Sequence, residues 1–355
     1  MSLRHLCAGG VVAAVALCPL ARADEAPATP SPAEMLVTAA DAARTQNFQG
    51  VLIYRDDRSL EAMRVMHRFR DGHESERVTS LNGEPRDIFR EDDRVYCVLP
   101  KDRRLSMARP ALKGFLSQLT PDRLAQLSAW YEFKPLGSER VAARNCVGVA
   151  VMPRDQYRYG YELWTDEQTH VPLKFNLLSS DRHVLEQVMF TEVSFPASIP
   201  DAAFHTDINT AQSQLVPRSA VEAVPMTPLA GGSPQWVFDN LPPGFRVVMH
   251  DEGELPDGSG RVVHTLLTDG LSTISVFGDE VRGRDTGLQG LSHMGSVQLY
   301  GRVVGSFHVT VVGDAPALTM RQIGQGLEPA PGSAATPAGG ATAVSNPGPD
   351  PAQHP

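Results

Sequence analysis

Few side chains in this sequence have the types and spacing that catalysis needs. Gly290-Leu291-Ser292-His293-Met294 comes nearest to the strained turn that exposes a nucleophilic serine, but Met294 stands where a second glycine must allow close packing. That Ser292 and His293 are adjacent adds nothing, because a serine and its base are brought together by the fold. His67 and His73 flank "RFRDG", which reads as a hairpin turn. Two histidines across a hairpin could hold a metal, yet no third ligand of the right type follows in the pattern. Scattered histidines on a solvent-facing strand are the commoner arrangement, so no metal is expected. Asp56-Asp57 and Asp92-Asp93 fall at turn positions, where a carboxylate satisfies backbone N–H groups. No HExxH, CxxC, P-loop or strand-borne GxGxxG occurs, so no catalytic residue and no cofactor is expected.

The densest row of functional side chains is "DQYRYGYELWTDEQTHVPLKF", residues 155–175. Tyr157, Tyr159, Tyr161 and Leu163 would share one face of a strand, and Arg158, Gly160, Glu162 and Trp164 the other. Aromatic residues at period two raise sheet propensity and pack across strands. The same row could also wall a groove for an acyl chain or a partner peptide, with Tyr159 as a candidate lining residue.

The elements that must position these residues follow from periodicity. Ser31-Pro32-Ala33-Glu34 is a capping box with proline at the first helical position, opening a helix to about Arg44. From Phe48 the period becomes two: runs at 48–55, 60–70, 73–81, 86–91, 94–99 and 103–107 are separated by Asp-Asp, Asp-Gly and Asn-Gly pairs or by Pro100. Leu112, Phe115, Leu116 and Leu119 then recur at helical spacing, and Thr120-Pro121-Asp122 caps a second turn carrying Leu124, Leu127 and Trp130. Strands resume at 131–136, 146–152, 158–165, 172–179 and 184–195. Residues 24–207 therefore read as one large curved antiparallel sheet with helices lying on it, the concave face forming an apolar groove.

Residues 208–234 have linker composition. A smaller domain follows at 235–327, with strands at 245–250, 261–268, 272–278, 297–304 and 307–312 and a closing helix from Ala315. The Pro/Ala/Gly-rich stretch 328–355 cannot build a core and is expected to be disordered. Ahead of all this, a basic start (Arg4, His5), an apolar run from Leu6 to Leu20 and Ala21-Arg22-Ala23 have the layout of a secretory signal peptide over residues 1–23. Cleavage after Ala23 would place the chain in the periplasm; Leu17 before Cys18 disfavours a lipoprotein site. Removing Arg4 and Arg22 leaves 30 Lys+Arg against 41 Asp+Glu, a charge of about −11 that argues against nucleic acid as a partner. Cys97 and Cys146 remain, which leaves a disulfide and two buried thiols equally open.

Several distinctive stretches in one order resemble the MucB/RseB family. "NFQGVLIY" (47–54), residues 61–100 and "RDQYRYGYELWTDEQTHVPLKF" (154–175) are similar to its amino-terminal domain, and "TDGLSTISVF" (268–277) and residues 295–323 to its carboxy-terminal domain. Asp314 stands where the family pattern has Glu, keeping the charge. The resemblance implies an α+β, mainly antiparallel fold: an unclosed LolA/LolB-like barrel with inner helices, plus a smaller antiparallel sheet. It implies a periplasmic negative regulator of the sigma-E envelope-stress sigma factor, binding the periplasmic part of a membrane anti-sigma factor (RseA or MucA type). That segment would be shielded from the site-1 protease until lipopolysaccharide or lipoprotein acyl chains loosen the complex. The family carries no catalytic residues to transfer.

Candidate lipid-groove residues are accordingly Leu112, Phe115, Leu116, Leu119, Leu124, Leu127, Trp130 and Tyr159; candidate partner-binding residues are Phe245, Tyr300 and Phe307. The same helical residues could equally fill the core of the first domain. A carrier of lipid or lipoprotein, suggested by the first domain alone, is the alternative reading.

Overall fold

The computed structural model describes residues 30–92, 94–100, 115–117, 119–205, 213–217, 227–228, 236–254, 261–281 and 287–330. The signal segment, the expected strand at 103–107, Leu112, Asp93 and the tail beyond residue 330 lie outside them.

The first domain opens with α1 (Pro32–Thr45), followed by β1 (Phe48–Arg55), β2 (Leu60–Arg70), β3 (His73–Ser80), β4 (Asp87–Glu91) and β5 (Arg94–Pro100). After α2 (Pro121–Leu127) come β6 (Tyr131–Val141), β7 (Arg144–Pro153), β8 (Gly160–Asp166), β9 (Pro172–Leu178), β10 (Val184–Ser194) and β11 (Ser213–Pro217). These make one 11-stranded sheet in the order β11-β5-β4-β3-β2-β1-β10-β9-β8-β7-β6, the pairing of β1 with β10 joining two meanders. The end strands β11 and β6 do not pair, so the sheet is unclosed. Its curl is visible in α1, which touches β2 on one side of β1 and β6, β7 and β9 on the other. Leu36 and Ala39 of α1 are fully buried against Tyr54, Tyr161, Leu163, Phe175 and Leu177 of the inner face. Trp164 faces the other way, beneath the Lys174 ammonium 4.3 Å from its ring.

The turns obey local chemistry. Asp71 and Gly72 both have positive φ (57° and 87°), as a two-residue primed turn requires. Asp56 Oδ1 accepts from the backbone N of Arg58 and Ser59, and Asp92 Oδ1 from that of Glu74. The β6–β7 turn breaks the rule, because Ala142 and Ala143 hold φ values of 48° and 63°. Left-handed backbone is strained for alanine and free for glycine. Ala143→Gly should therefore stabilise the protein by about 1 kcal/mol, a rise of about 2–4 °C in Tm. A thermal melt with an unchanged or lowered midpoint would contradict this.

The second domain contains β12 (Thr227–Pro228), β13 (Trp236–Phe238), β14 (Arg246–Glu254), β15 (Arg261–Thr268), β16 (Thr273–Glu280), β17 (Gly290–Met294), β18 (Val297–Val304), β19 (Phe307–Gly313), α3 (Ala317–Gln325) and β20 (Leu327–Pro329). Seven strands form a sheet in the order β12-β14-β15-β16-β19-β18-β17, and β13 pairs with β20. Helix α3 lies on β18 and β19, burying Met320 and Ile323 against Val309, Val311 and Ile274.

Three features differ from expectation, the first being that Glu328 and Pro329, expected in a disordered tail, pair with β13 and so satisfy its backbone. Residues 208–234 are not linker throughout: β11 pairs with β5, and β12 pairs with β14. Each sheet has an edge whose backbone groups need partners, and the connecting chain supplies them. Residues 290–294 form the edge strand β17, paired to β18. Ser292 and His293 are both exposed on it and point to opposite faces, so they cannot act on one atom. Cys97 on β5 and Cys146 on β7 are each buried, and no disulfide joins them. Burial raises the Cys146 thiol to a pKa of about 11, which keeps it protonated and unreactive at neutral pH.

Candidate functional site

The strand of tyrosines begins later than its alternation suggests. β8 starts at Gly160, and residues 154–159 form the irregular connection from β7, which touches the second domain through Tyr157 and Arg158. Asp155 causes the departure: its Oδ1 accepts from the backbone N of Tyr157 at 2.9 Å, and its Oδ2 pairs closely with Arg158. In the bend, Tyr157 packs against the second domain's core, Arg158 is buried at the junction, and Tyr159 joins the first domain's core.

Arg158 is the centre of the junction, and its side chain is 0 % exposed. Its Nε donates to Asp269 Oδ2 at 2.7 Å, and its other nitrogens bond Asp155 and the carbonyl of Pro243. The guanidinium lies 4.9 Å from the Trp130 ring centre and 5.1 Å from that of Phe245, one aromatic from each domain. Asp269 is held as fully: Oδ2 also accepts from Tyr131 Oη at 3.0 Å, and Oδ1 from the backbone N of Leu271 and Ser272. Burial first, and then the Asp269 charge, push the Tyr131 hydroxyl well above its ordinary pKa, so it stays a donor. Gly244 fits this cradle closely; its φ is 83°, and a Cβ there would lie 2.5 Å from Trp130 and 2.7 Å from Arg158.

Further bonds extend the junction. Arg123 Nη1 donates to the carbonyl of Gly270 at 3.1 Å, and Leu271 from the β15–β16 turn packs into the first domain's core. Tyr159 Oη donates to the Ser296 carbonyl at 3.1 Å, and Thr319 Oγ1 of α3 to the Tyr157 carbonyl at 2.7 Å. The Ser296 hydroxyl bonds Glu186 of β10 and lies 3.2 Å from Asp314. All but the Ser296–Asp314 contact join one domain to the other, so the junction is a polar seam with an apolar border.

Of the residues singled out in the sequence, Phe115, Leu119, Leu124 and Leu127 are buried in the first core, with Leu116 and Trp130 half-buried against it. Phe115 stacks on Tyr161 with ring centres 4.7 Å apart. Tyr159 and Trp130 belong to the seam. Phe245 is buried beneath Arg158, and Phe307 is buried edge-on to Trp236 at 6.0 Å. Tyr300 is half-buried against α3 at Gly324. Sequence reasoning missed Arg158 and Asp269 as a pair. An arginine inside an alternating aromatic run reads as the solvent face, and Thr268-Asp269-Gly270 as a turn; only the Asp155-x-x-Arg158 spacing hinted at a local bond.

The chain is thus an α+β protein of two antiparallel sheets joined by a buried ion pair and packed aromatics. This chain belongs to the MucB/RseB family: the family's N-terminal domain matches residues 31–208 and its C-terminal domain residues 231–328. Among its relatives, the sigma factor AlgU regulatory protein MucB of Pseudomonas aeruginosa is 29% identical over 304 residues, spanning 82% of this chain and 88% of that protein. The sigma-E factor regulatory protein RseB of Escherichia coli (strain K12) is 24% identical over 306 residues, spanning 85% and 92%. A crystal structure of MucB in complex with MucA(peri) superposes with a TM-score of 0.65 at 27% identity, covering 84% of this chain and 99% of that one.

Proposed function

We propose that this chain is a periplasmic regulator that binds the periplasmic part of a membrane anti-sigma factor, shields it from site-1 proteolysis and releases it on a lipid signal. The observation that carries the reading is the likeness, across both domains, to MucB in complex with MucA(peri). A peptide clasp spanning two domains needs them held in a fixed relation, and the Arg158 seam supplies that. Export by the leader, with cleavage after Ala23, belongs to the same reading.

The seam also offers a route for lipid control. Leu127 packs in the first core, and Gly270 of the second domain sits directly against it; Trp130 lies under Arg158. An acyl chain entering the concave face must displace Phe115, Leu119, Leu124 or Leu127, and so press on the seam. The coupling is reciprocal: whatever factor lipid costs the peptide, peptide costs the lipid.

Titrating a fluorescent MucA-type periplasmic peptide with and without lipopolysaccharide tests this. The expected result is saturable binding that lipid weakens on the order of tenfold, a coupling of about 1.4 kcal/mol. Unchanged peptide affinity would remove the lipid step, and absence of peptide binding would remove the whole reading. The carrier alternative is weakened by Leu271, a second-domain side chain that completes the first domain's core.

A further inference from the structure

The hairpin that offered two histidines and no third ligand holds one in the fold. His67 on β2 faces Glu76 directly across on β3, and Glu74 lies two residues away on the same side. Among the described residues, His67, Glu74 and Glu76 bring three ligating atoms within 4.8 Å of one another. His73, the other histidine, is exposed and instead pairs with Asp92 at 2.9 Å.

His67 is held as metal-binding histidines are held. Its Nδ1 lies 2.8 Å from the carbonyl oxygen of Gln46, which can only accept, so in the neutral ring Nδ1 carries the proton. The Nε2 lone pair is then turned toward the two carboxylates. Phe48, its neighbour in register on β1, stacks on the ring with centres 4.6 Å apart and planes 9° from parallel, fixing its orientation. The side chain is 1 % exposed, yet Nε2 has no hydrogen-bond partner. Glu74 Oε1 lies 3.2 Å away but off the hydrogen-bonding direction. That offset suits a second ligand of a shared ion, because adjacent ligands of tetrahedral zinc at about 2.0–2.1 Å lie roughly 3.3 Å apart.

We infer that His67, Glu74 and Glu76 form a site for a divalent transition-metal cation of the Zn²⁺ class. One imidazole and two carboxylates fill three positions, and water takes the fourth. Glu74, whose side chain is 21 % exposed, is the entrance. Arg90 on β4 stands opposite Glu76 in register. Bound metal would tie β2 to β3 and, through Gln46, to the end of α1. It would thus act as a staple at the rim of the first domain, separate from the interdomain seam.

The test is calorimetric titration of ZnCl₂ into the untagged, chelator-treated mature chain, with Co²⁺ absorption as a second readout. Expected are one Zn²⁺ per chain, a raised Tm and the visible bands of tetrahedral Co²⁺. His67→Gln and Glu74→Gln should each lower affinity by at least the roughly 10–100-fold that loss of a supporting partner costs a metal site. His73→Gln should leave affinity unchanged. Because Glu74 is partly exposed, its variant should fold even if that at His67 does not. No Zn²⁺ binding by the unaltered chain, or equal affinity in Glu74→Gln, would overturn the site. Loss of affinity only in His73→Gln would mean an adventitious surface ion.

Discussion

Arg158→Ala should cost about 3–5 kcal/mol of stability, because it leaves a buried carboxylate without its cation. Asp269 loses the charge that balances it while its side chain stays 0 % exposed, and the Tyr131 hydroxyl and two backbone N–H groups are left to hold the anion alone. The stacked rings of Trp130 and Phe245 lose the group between them. Asp269→Asn alone should cost less, since the amide keeps the shape and the Arg158 charge retains Asp155. Combining Arg158→Met with Asp269→Asn should recover part of the loss, because neither charge is then stranded. Urea unfolding of the set measures the coupling. If the two domains lose their mutual support, the Arg158→Ala curve should split into two transitions, and peptide affinity should fall with it. A loss under about 1 kcal/mol with peptide affinity intact would show that the seam is an ornament of the fold and not its clasp.

Leu127→Ala separates a filled core from a standing groove. Leu127 is 1 % exposed among the inner aromatics of the first domain and beside Gly270 of the second. Truncating a leucine so enclosed should cost about 2–5 kcal/mol and leave a dry cavity of apolar walls. The variant should then take up an apolar fluorescent probe more readily than the unaltered chain. If stability instead changed by less than about 1 kcal/mol while lipid affinity dropped, Leu127 would line an open groove and the core assignment would fail. Either outcome bears on how lipid enters, since a packed face must be pried apart and an open one need only be filled.

The sequence alone determined most elements of both sheets. Period-two runs separated by Asp-Gly and Asn-Gly pairs located β1 to β5 to within a residue, because strand alternation and primed turns are local physics. The Ser31–Glu34 box and Thr120 located two helix starts for the same reason; Thr120 Oγ1 accepts from the Arg123 N–H at 3.3 Å. Local pattern failed where burial comes from elsewhere in the chain. β17 is short and exposed, so it lacks an alternating signature, and β11 and β12 are edge pieces whose only reason to be strands is a neighbour's unpaired backbone.

Function-bearing side chains were legible as types but not as partners. Composition and order marked Tyr157 to Trp164 as unusual, but the fold decided that Tyr159 bonds Ser296 and that Arg158 pairs with Asp269, 111 positions away. The hairpin at residues 67–76 carried His67, Glu74 and Glu76 in plain view, yet a ligand set depends on which side chains share a face and which way an imidazole turns. Sequence spacing sets the first through the pleat; the second was decided by Gln46 and Phe48, brought in by the return of the chain along β1. Hydrophobic period and turn chemistry act over a few residues, so the sequence displays them directly. Charge pairing and ligand convergence act through space, and only the closed fold brings those atoms together.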